Sequence, residues 1–279
     1  MRGKGFKYRN LLLRMGKTIG IVSLKGGVGK TTTVVSLGAA LAEIGKKVLL
    51  IDGNLYSPTL GLHLNIIDPE KTLHDVFKRK AHARDAIVEY EGMDVMPSSI
   101  FSKTKLNPLK LKDKIQILKK DYDIILIDSS PNLNEETLGV ILASDEIYVV
   151  TTADHATLSM TLKAVKLARQ RGTPIKGIII NKYHNKDFET PLGSIEETLD
   201  IPILAVIPYD RNFLRALSEM QPFVTYKPKA EGSIEFKKLA AALTGQKYTR
   251  TRLRDLFRKM KPKKQDINRF IFYERVFEE

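Results

Sequence analysis

The segment Leu24-Lys25-Gly26-Gly27-Val28-Gly29-Lys30-Thr31-Thr32 has the residue types and spacing for phosphate chemistry. Glycines let a backbone curl until successive N–H groups converge on one anion. A helix starting directly after such a loop adds the partial positive charge of its N-terminus. Lys30 is placed to reach β- and γ-phosphates, and the Thr31 hydroxyl to ligate Mg²⁺. Gly26, Gly27, Val28, Gly29 and Thr32 supply the backbone of the cradle. A loop of this kind works only between a strand and a helix.

The flanking sequence meets that condition. Residues 18–24 form a compact apolar run, and 32–44 carry helical periodicity up to Gly45. Further strands are predicted at 47–52, 123–128, 146–151, 175–181 and 203–207, with a shorter one at 93–97. Helical patterns lie between them at 135–143, 158–171 and 194–199. Strands that read apolar throughout, each followed by a helix, imply a parallel sheet covered on both faces. The expected fold is therefore α/β, a three-layer sandwich with a mostly parallel central sheet and the loop at the carboxyl ends of its strands. Residues 54–120 are less regular and predict no definite order of elements. The expected organisation is a basic extension over 1–16, a core domain over 17–245, and a basic amphipathic appendage over 246–279.

The pattern K-G-G-x-G-K-T-T resembles the deviant Walker A motif of the MinD/ParA family of P-loop ATPases. Ile124-Ile125-Leu126-Ile127-Asp128-Ser129-Ser130-Pro131 is similar to that family's Walker B strand and the loop after it. Asn181 matches its adenine-contacting Asn, and Pro208-Tyr209-Asp210 its base-binding turn. These matches span about residues 17–245. The resemblance implies a P-loop NTPase of the SIMIBI, MinD-like kind that binds ATP or ADP with Mg²⁺. It implies that Lys25 reaches across a homodimer formed in the ATP state, that Lys30 serves catalysis in its own subunit, and that Asp52 assists. Thr31, Asp52 and Asp128 would hold the metal, and Asn181, Pro208 and Asp210 the base. One departure bears on rate. Where the family commonly shows Asp-x-Asp, this chain has Asp52-Gly53-Asn54. Asn54 can hydrogen-bond a water but cannot take its proton. Hydrolysis is expected to be slow or to depend on an activating partner protein, and a nucleotide-gated scaffold with negligible hydrolysis is the contrasting reading.

The absence of cysteine excludes disulfides, thiolate zinc sites and cysteine-ligated iron–sulfur clusters. Iron–sulfur carriers and arsenite-pump relatives that share the loop therefore fit poorly, and Tyr273 alone does not make the tyrosine cluster of the related bacterial kinases. What remains are positioning ATPases, MinD-like on membranes or ParA-like on DNA. A reducing, cytoplasmic setting fits the lack of cysteine. No stretch approaches the ~18 apolar residues needed to cross a bilayer. His63, His74, His82, His155 and His184 show no metal-ligand spacing, so they read as surface or loop residues.

The formal net charge is +14, and most of it lies in the ends. Residues 1–17 carry six basic groups and no acid, and 246–279 carry eleven basic and five acidic groups, which leaves +2 for 18–245. Basic ends suggest an anionic partner. Within 249–261, Leu253, Leu256, Phe257 and Met260 fall on one helical face among six basic residues. That composition suits an anionic membrane surface at the inner face of the cell membrane, docking on the protein's own core, or nucleic acid. The first of these resembles the C-terminal membrane-targeting helix of MinD proteins. The apolar residues after Pro262 are enough to form a partner-binding helix or an extra element of the fold. The lysine-rich stretch 103–120 predicts a solvated helix face, with DNA contact as the minority reading.

Overall fold

A computed structural model describes residues 16–246, 248 and 263–274, and its elements alternate as the apolar runs predict. In chain order they are β1 (Lys17–Val22), α1 (Lys30–Glu43), β2 (Val48–Asp52), α2 (Leu73–Phe77), β3 (Val88–Tyr90), β4 (Met93–Met96), α3 (Leu111–Ile115), β5 (Ile124–Asp128) and α4 (Glu135–Ala143). There follow β6 (Glu146–Thr151), α5 (His155–Gln170), β7 (Ile175–Tyr183), α6 (Leu192–Leu199), β8 (Ile203–Pro208), α7 (Asn212–Ser218), α8 (Phe223–Tyr226), α9 (Glu231–Leu243) and α10 (Lys264–Tyr273). The strands form one sheet in the order β3-β4-β2-β5-β1-β6-β7-β8, parallel throughout except for β3, which runs antiparallel to β4 at one edge.

Period-two alternation along the strands divides the core between the two faces. Ile19, Ile21, Leu50 and Leu126 pack with Val34, Leu37 and Leu41 of α1 and Phe236 and Leu239 of α9. Leu49, Ile51, Ile125 and Ile127 point the other way, toward Leu111 and Ile115 of α3, Val140 and Ile141 of α4, and Ala164 and Ala168 of α5. The result is the expected three layers. Register then does something the strands cannot do separately. It places Asp52 at the end of β2 directly opposite Asp128 at the end of β5.

Several boundaries differ from the sequence reading for identifiable reasons. α5 begins three residues earlier than its apolar pattern, because the Asp154 side chain accepts the Thr157 N–H at 2.9 Å as an N-cap. The lysine-rich stretch is not one helix face. Pro108 opens a 3₁₀ turn, α3 follows for one turn, and a second 3₁₀ turn covers Gln116–Lys120, with Leu111, Ile115 and Leu118 buried beneath the lysines. β3 has only three residues, too few to signal a strand.

The tail divides. Residues 249–261, the predicted amphipathic stretch, lie outside the described residues, as do 1–15. Helix α10 packs on α9 and β8, with Phe272 buried. Arg269 donates to the Leu204 carbonyl at 2.6 Å and to Glu235 at 3.0 Å, and it also pairs with Asp266. Asn268 donates to the Ile203 carbonyl at 2.8 Å. Of the stretch set apart as an appendage, this helix is thus an element of the fold that closes over the edge strand.

Candidate functional site

The loop after β1 closes onto α1 through backbone conformations that favour glycine. Gly27 has φ +76° and Gly29 has φ +88°. α1 then starts with no side-chain cap and no acidic residue in its first turn, so its N-terminal dipole faces the loop uncompensated. Gly29 is demanded twice. Besides its positive φ, a Cβ there would lie 2.2 Å from Nδ2 of Asn181.

Two carboxylates and two hydroxyls converge beside this loop. Asp128 is fully buried and divides its oxygens, Oδ1 accepting from Lys30 Nζ at 2.5 Å and Oδ2 from the Thr31 hydroxyl at 2.6 Å. Lys30 also donates to the Ser129 carbonyl. The Thr59 hydroxyl stands 3.2 Å from that of Thr31. Asp52, equally buried, accepts the N–H groups of Asn54, Thr59 and Leu60 at 3.1, 3.0 and 2.9 Å. Burial, and then the neighbouring Asp128 charge, push the Asp52 carboxyl up to about 8 against the pull of the Leu60 and Asn54 N–H groups and Lys30. A hard divalent cation beside this pair would relieve the repulsion. Carboxylate and hydroxyl oxygens are the donor set Mg²⁺ takes, so Thr31, Asp128 and Asp52 fit it.

The two loop lysines are placed differently. Lys30 is buried at the base of the loop, whereas the Lys25 side chain is 44% exposed at its mouth. Its ammonium bonds the Thr157 hydroxyl at 2.6 Å and Asp154 at 3.3 Å, at the start of α5. Burial raises the Asp154 carboxyl, but hydrogen bonds from Thr152, Thr157 and Lys25 outweigh it and hold the group well below the usual carboxylate range. Lys25 is therefore paired with a firmly ionised acid, outside the cradle of its own subunit.

A cavity of about 570 Å³ runs along the loop, a volume within the range that takes small cofactors. Residues 25–32 line it, together with Asn54, Asn181, Pro208 and Asp210. Asp52 and Asp128 lie beneath this lining. Asn54 gives its side-chain N–H to the Ser57 carbonyl, and its carboxamide cannot act as a base. Asn181 donates to the Val28 carbonyl at 2.7 Å, so its amide meets the loop itself. Asp210 accepts from the backbone and side chain of Asn212 at 2.8 and 2.6 Å, which shapes the turn after β8. Tyr209 of the predicted turn lines it too, and Phe213, Leu214 and Leu217 of α7 add an apolar wall that the sequence reading did not assign. His63, read from sequence as a surface or loop residue, also lines the cavity, its Nδ1 2.9 Å from the Thr59 carbonyl. A carbonyl only accepts, so Nδ1 is the donor of this pair.

Comparison with known proteins points the same way. A family model described as an AAA domain matches residues 16–171, more than half of the chain. The sporulation initiation inhibitor protein Soj of Bacillus subtilis is 34% identical over 81% of this chain and 97% of its own length. An uncharacterised ATP-binding protein of Methanocaldococcus jannaschii is 33% identical over 84% of this chain and 90% of its own. The septum site-determining protein MinD of Pyrococcus horikoshii, solved with Mg-ADP, superposes with a TM-score of 0.78 at 36% identity, covering 82% of this chain and 96% of that one.

Proposed function

The chain belongs to the MinD/ParA family of P-loop ATPases, and from that premise we propose that it is a Mg-ATP-dependent dimerisation switch that positions a cellular structure, in the manner of MinD. The observation that carries this reading is Lys25. A second lysine at a phosphate loop, held at the mouth by Asp154 and Thr157, is suited to the phosphates of a facing subunit.

ATP supplies the transferable phosphoryl group, and Mg²⁺ supplies charge to hold its oxygens. Lys30, which bonds Asp128 at the base of the loop, would turn its ammonium to the phosphates. Thr31, Asp128 and Asp52 would hold the ion, with Asp52 also holding the Thr59 segment through its N–H group. Lys25 would leave Asp154 when two subunits meet and stabilise charge developing on the partner's nucleotide. Asn54 can orient a water and cannot deprotonate it, so turnover by the chain alone is slow and an activating protein raises it. Residues 249–261 are the proposed contact with an anionic bilayer, two weak anchors on one dimer gaining avidity when ATP pairs them.

The test is co-sedimentation with anionic liposomes in ATP and in ADP. Because α10 is clamped to α9 and β8, cutting the chain at Gly245 would expose buried core. The comparison is therefore with Leu256→Glu and Phe257→Glu. ATP-dependent binding lost in these variants supports the membrane reading, and sedimentation equal in both nucleotides removes it. One observation favours DNA as the second matrix: Lys103, Lys105, Lys110, Lys112 and Lys120 are all exposed beside one another in sequence. ATP-dependent retention on DNA without lipid binding would make the ParA-like reading the better one.

A further inference from the structure

The carboxyl end of β7 carries a distortion that no sequence motif announces. Ile180 pairs with Val206 and Tyr183 with Pro208, so three steps along β7 answer two along β8. The extra residue is a β-bulge, and within it Lys182 adopts φ +55°, the left-handed region that a lysine avoids without cause. In a regular strand, successive side chains point to opposite faces. Here they do not. Asn181 Nδ2 donates to the Val28 carbonyl at 2.7 Å, and Lys182 Nζ donates to the Gly27 carbonyl at 2.6 Å. The Asn181 Oδ1 atom accepts the Lys182 N–H at 2.9 Å and ties the pair together. Two neighbouring side chains thus hold two successive carbonyls of one loop, an arrangement that only the bulge makes reachable.

We propose that Asn181 and Lys182 act as a clamp that sets the phosphate loop for a β-phosphate, with Lys182 as a positioning residue. A carbonyl oxygen turned into the cradle would repel a phosphate. Drawing the Gly27 and Val28 carbonyls outward leaves the loop's N–H groups to converge on the anion. The ammonium makes the stronger, charge-assisted bond of the two and adds positive charge beside the cradle. The strained backbone is retained because it aims the side chain. The same clamp reaches the base end, since the Tyr183 carbonyl accepts the Tyr209 N–H at 2.9 Å at the turn after β8. This inference rests on the nucleotide reading above and deepens it.

The experiment titrates the full chain and its Lys182→Met, Lys182→Arg and Lys182→Gly variants with fluorescent ADP and ATP analogues in Mg²⁺, with AMP as competitor. Lys182→Met is expected to lose about tenfold in affinity for ADP and ATP alike, as removal of one charge-assisted hydrogen bond would. AMP, which lacks the β-phosphate, is expected to compete unchanged. Lys182→Arg should restore most of the loss. Lys182→Gly should bind as weakly as Lys182→Met while its nucleotide-free form melts no lower than the parent, because glycine adopts φ +55° without strain. A Lys182→Met protein that binds ADP like the parent overturns the proposal. So does one that loses AMP and ADP in equal measure, which would mark Lys182 as structural support for the base pocket. A parent protein that binds none of the three nucleotides overturns the underlying nucleotide reading instead.

Discussion

Two charge clusters, the first half-buried and the second fully buried, are built on opposite principles. Beside the start of edge strand β8, Arg269 and Lys238 face Glu235 and Asp266, two cations for two carboxylates, and the Leu204 carbonyl takes a further guanidinium N–H. At the carboxyl ends of β2 and β5, one buried cation, Lys30, serves two buried carboxylates, Asp128 and Asp52. The first cluster is balanced without a ligand and fastens α10 to the fold. The second is a positive charge short, and a hard cation is what completes it. Balanced burial marks architecture, and unbalanced burial marks a place where something else is meant to bind.

The contrast can be broken or sharpened by experiment. The largest effect is expected from Arg269→Ala, which leaves the buried Glu235 to the half-buried Lys238 at 3.3 Å and should cost about 3 kcal/mol in urea unfolding, with nucleotide affinity little changed. A loss below about 1 kcal/mol would show that the cluster fastens nothing. Next is Lys30→Ala. Removing the cation proposed to meet the phosphates should lower ATP turnover at least about a hundredfold, as loss of one preorganised electrostatic group does. Turnover within a few-fold of the parent would remove Lys30 from the chemistry.

A smaller effect tests the missing charge directly. The folded Asp52 carboxyl titrates at about 8, above its unfolded value of 3.8, so the folded state binds the extra proton between those limits. Stability of the metal-free protein is therefore fullest below about pH 4 as far as this group is concerned, and falls as pH rises toward 8. The fall should be on the order of 2 kcal/mol between pH 6 and pH 9 and should flatten in Asp52→Asn. Equal slopes for parent and variant in thermal melts would count against the frustrated pair. The smallest effect is the control: Lys263 pairs with Glu231 at 2.8 Å on the surface, and Lys263→Ala should shift stability by less than about 1 kcal/mol.

Much of this was legible in the sequence because the signals are local. The apolar runs of β5 and β6 are continuous, as strands buried on both faces must be, and the glycine loop lies between a strand and a helix by chain order alone. The Asn54 departure needs only a comparison of two side chains. The sequence pattern does not single out α9, and residues 246–279 read as an appendage, although Lys264–Tyr273 is packed on the core. An amphipathic helix carries no mark of what covers its apolar face. His63 and the α7 residues Phe213, Leu214 and Leu217 entered the cavity by folding, since a histidine thirty residues beyond the loop has no spacing that ties it to a phosphate.

The amino-acid sequence by itself determined the alternation of the long strands and the helices between them, the loop, and the residue types that can hold a phosphate and a metal. These depend on interactions between near neighbours along the chain. The tertiary structure alone decided that Asp52 stands opposite Asp128, that Lys25 rests on α5 and not in its own cradle, and that a bulge turns Lys182 back onto the loop. Each depends on strand register or on a contact between elements about thirty to more than a hundred and fifty residues apart. The energies of such contacts arise only when the sheet has brought those groups together and excluded the water that would otherwise screen them.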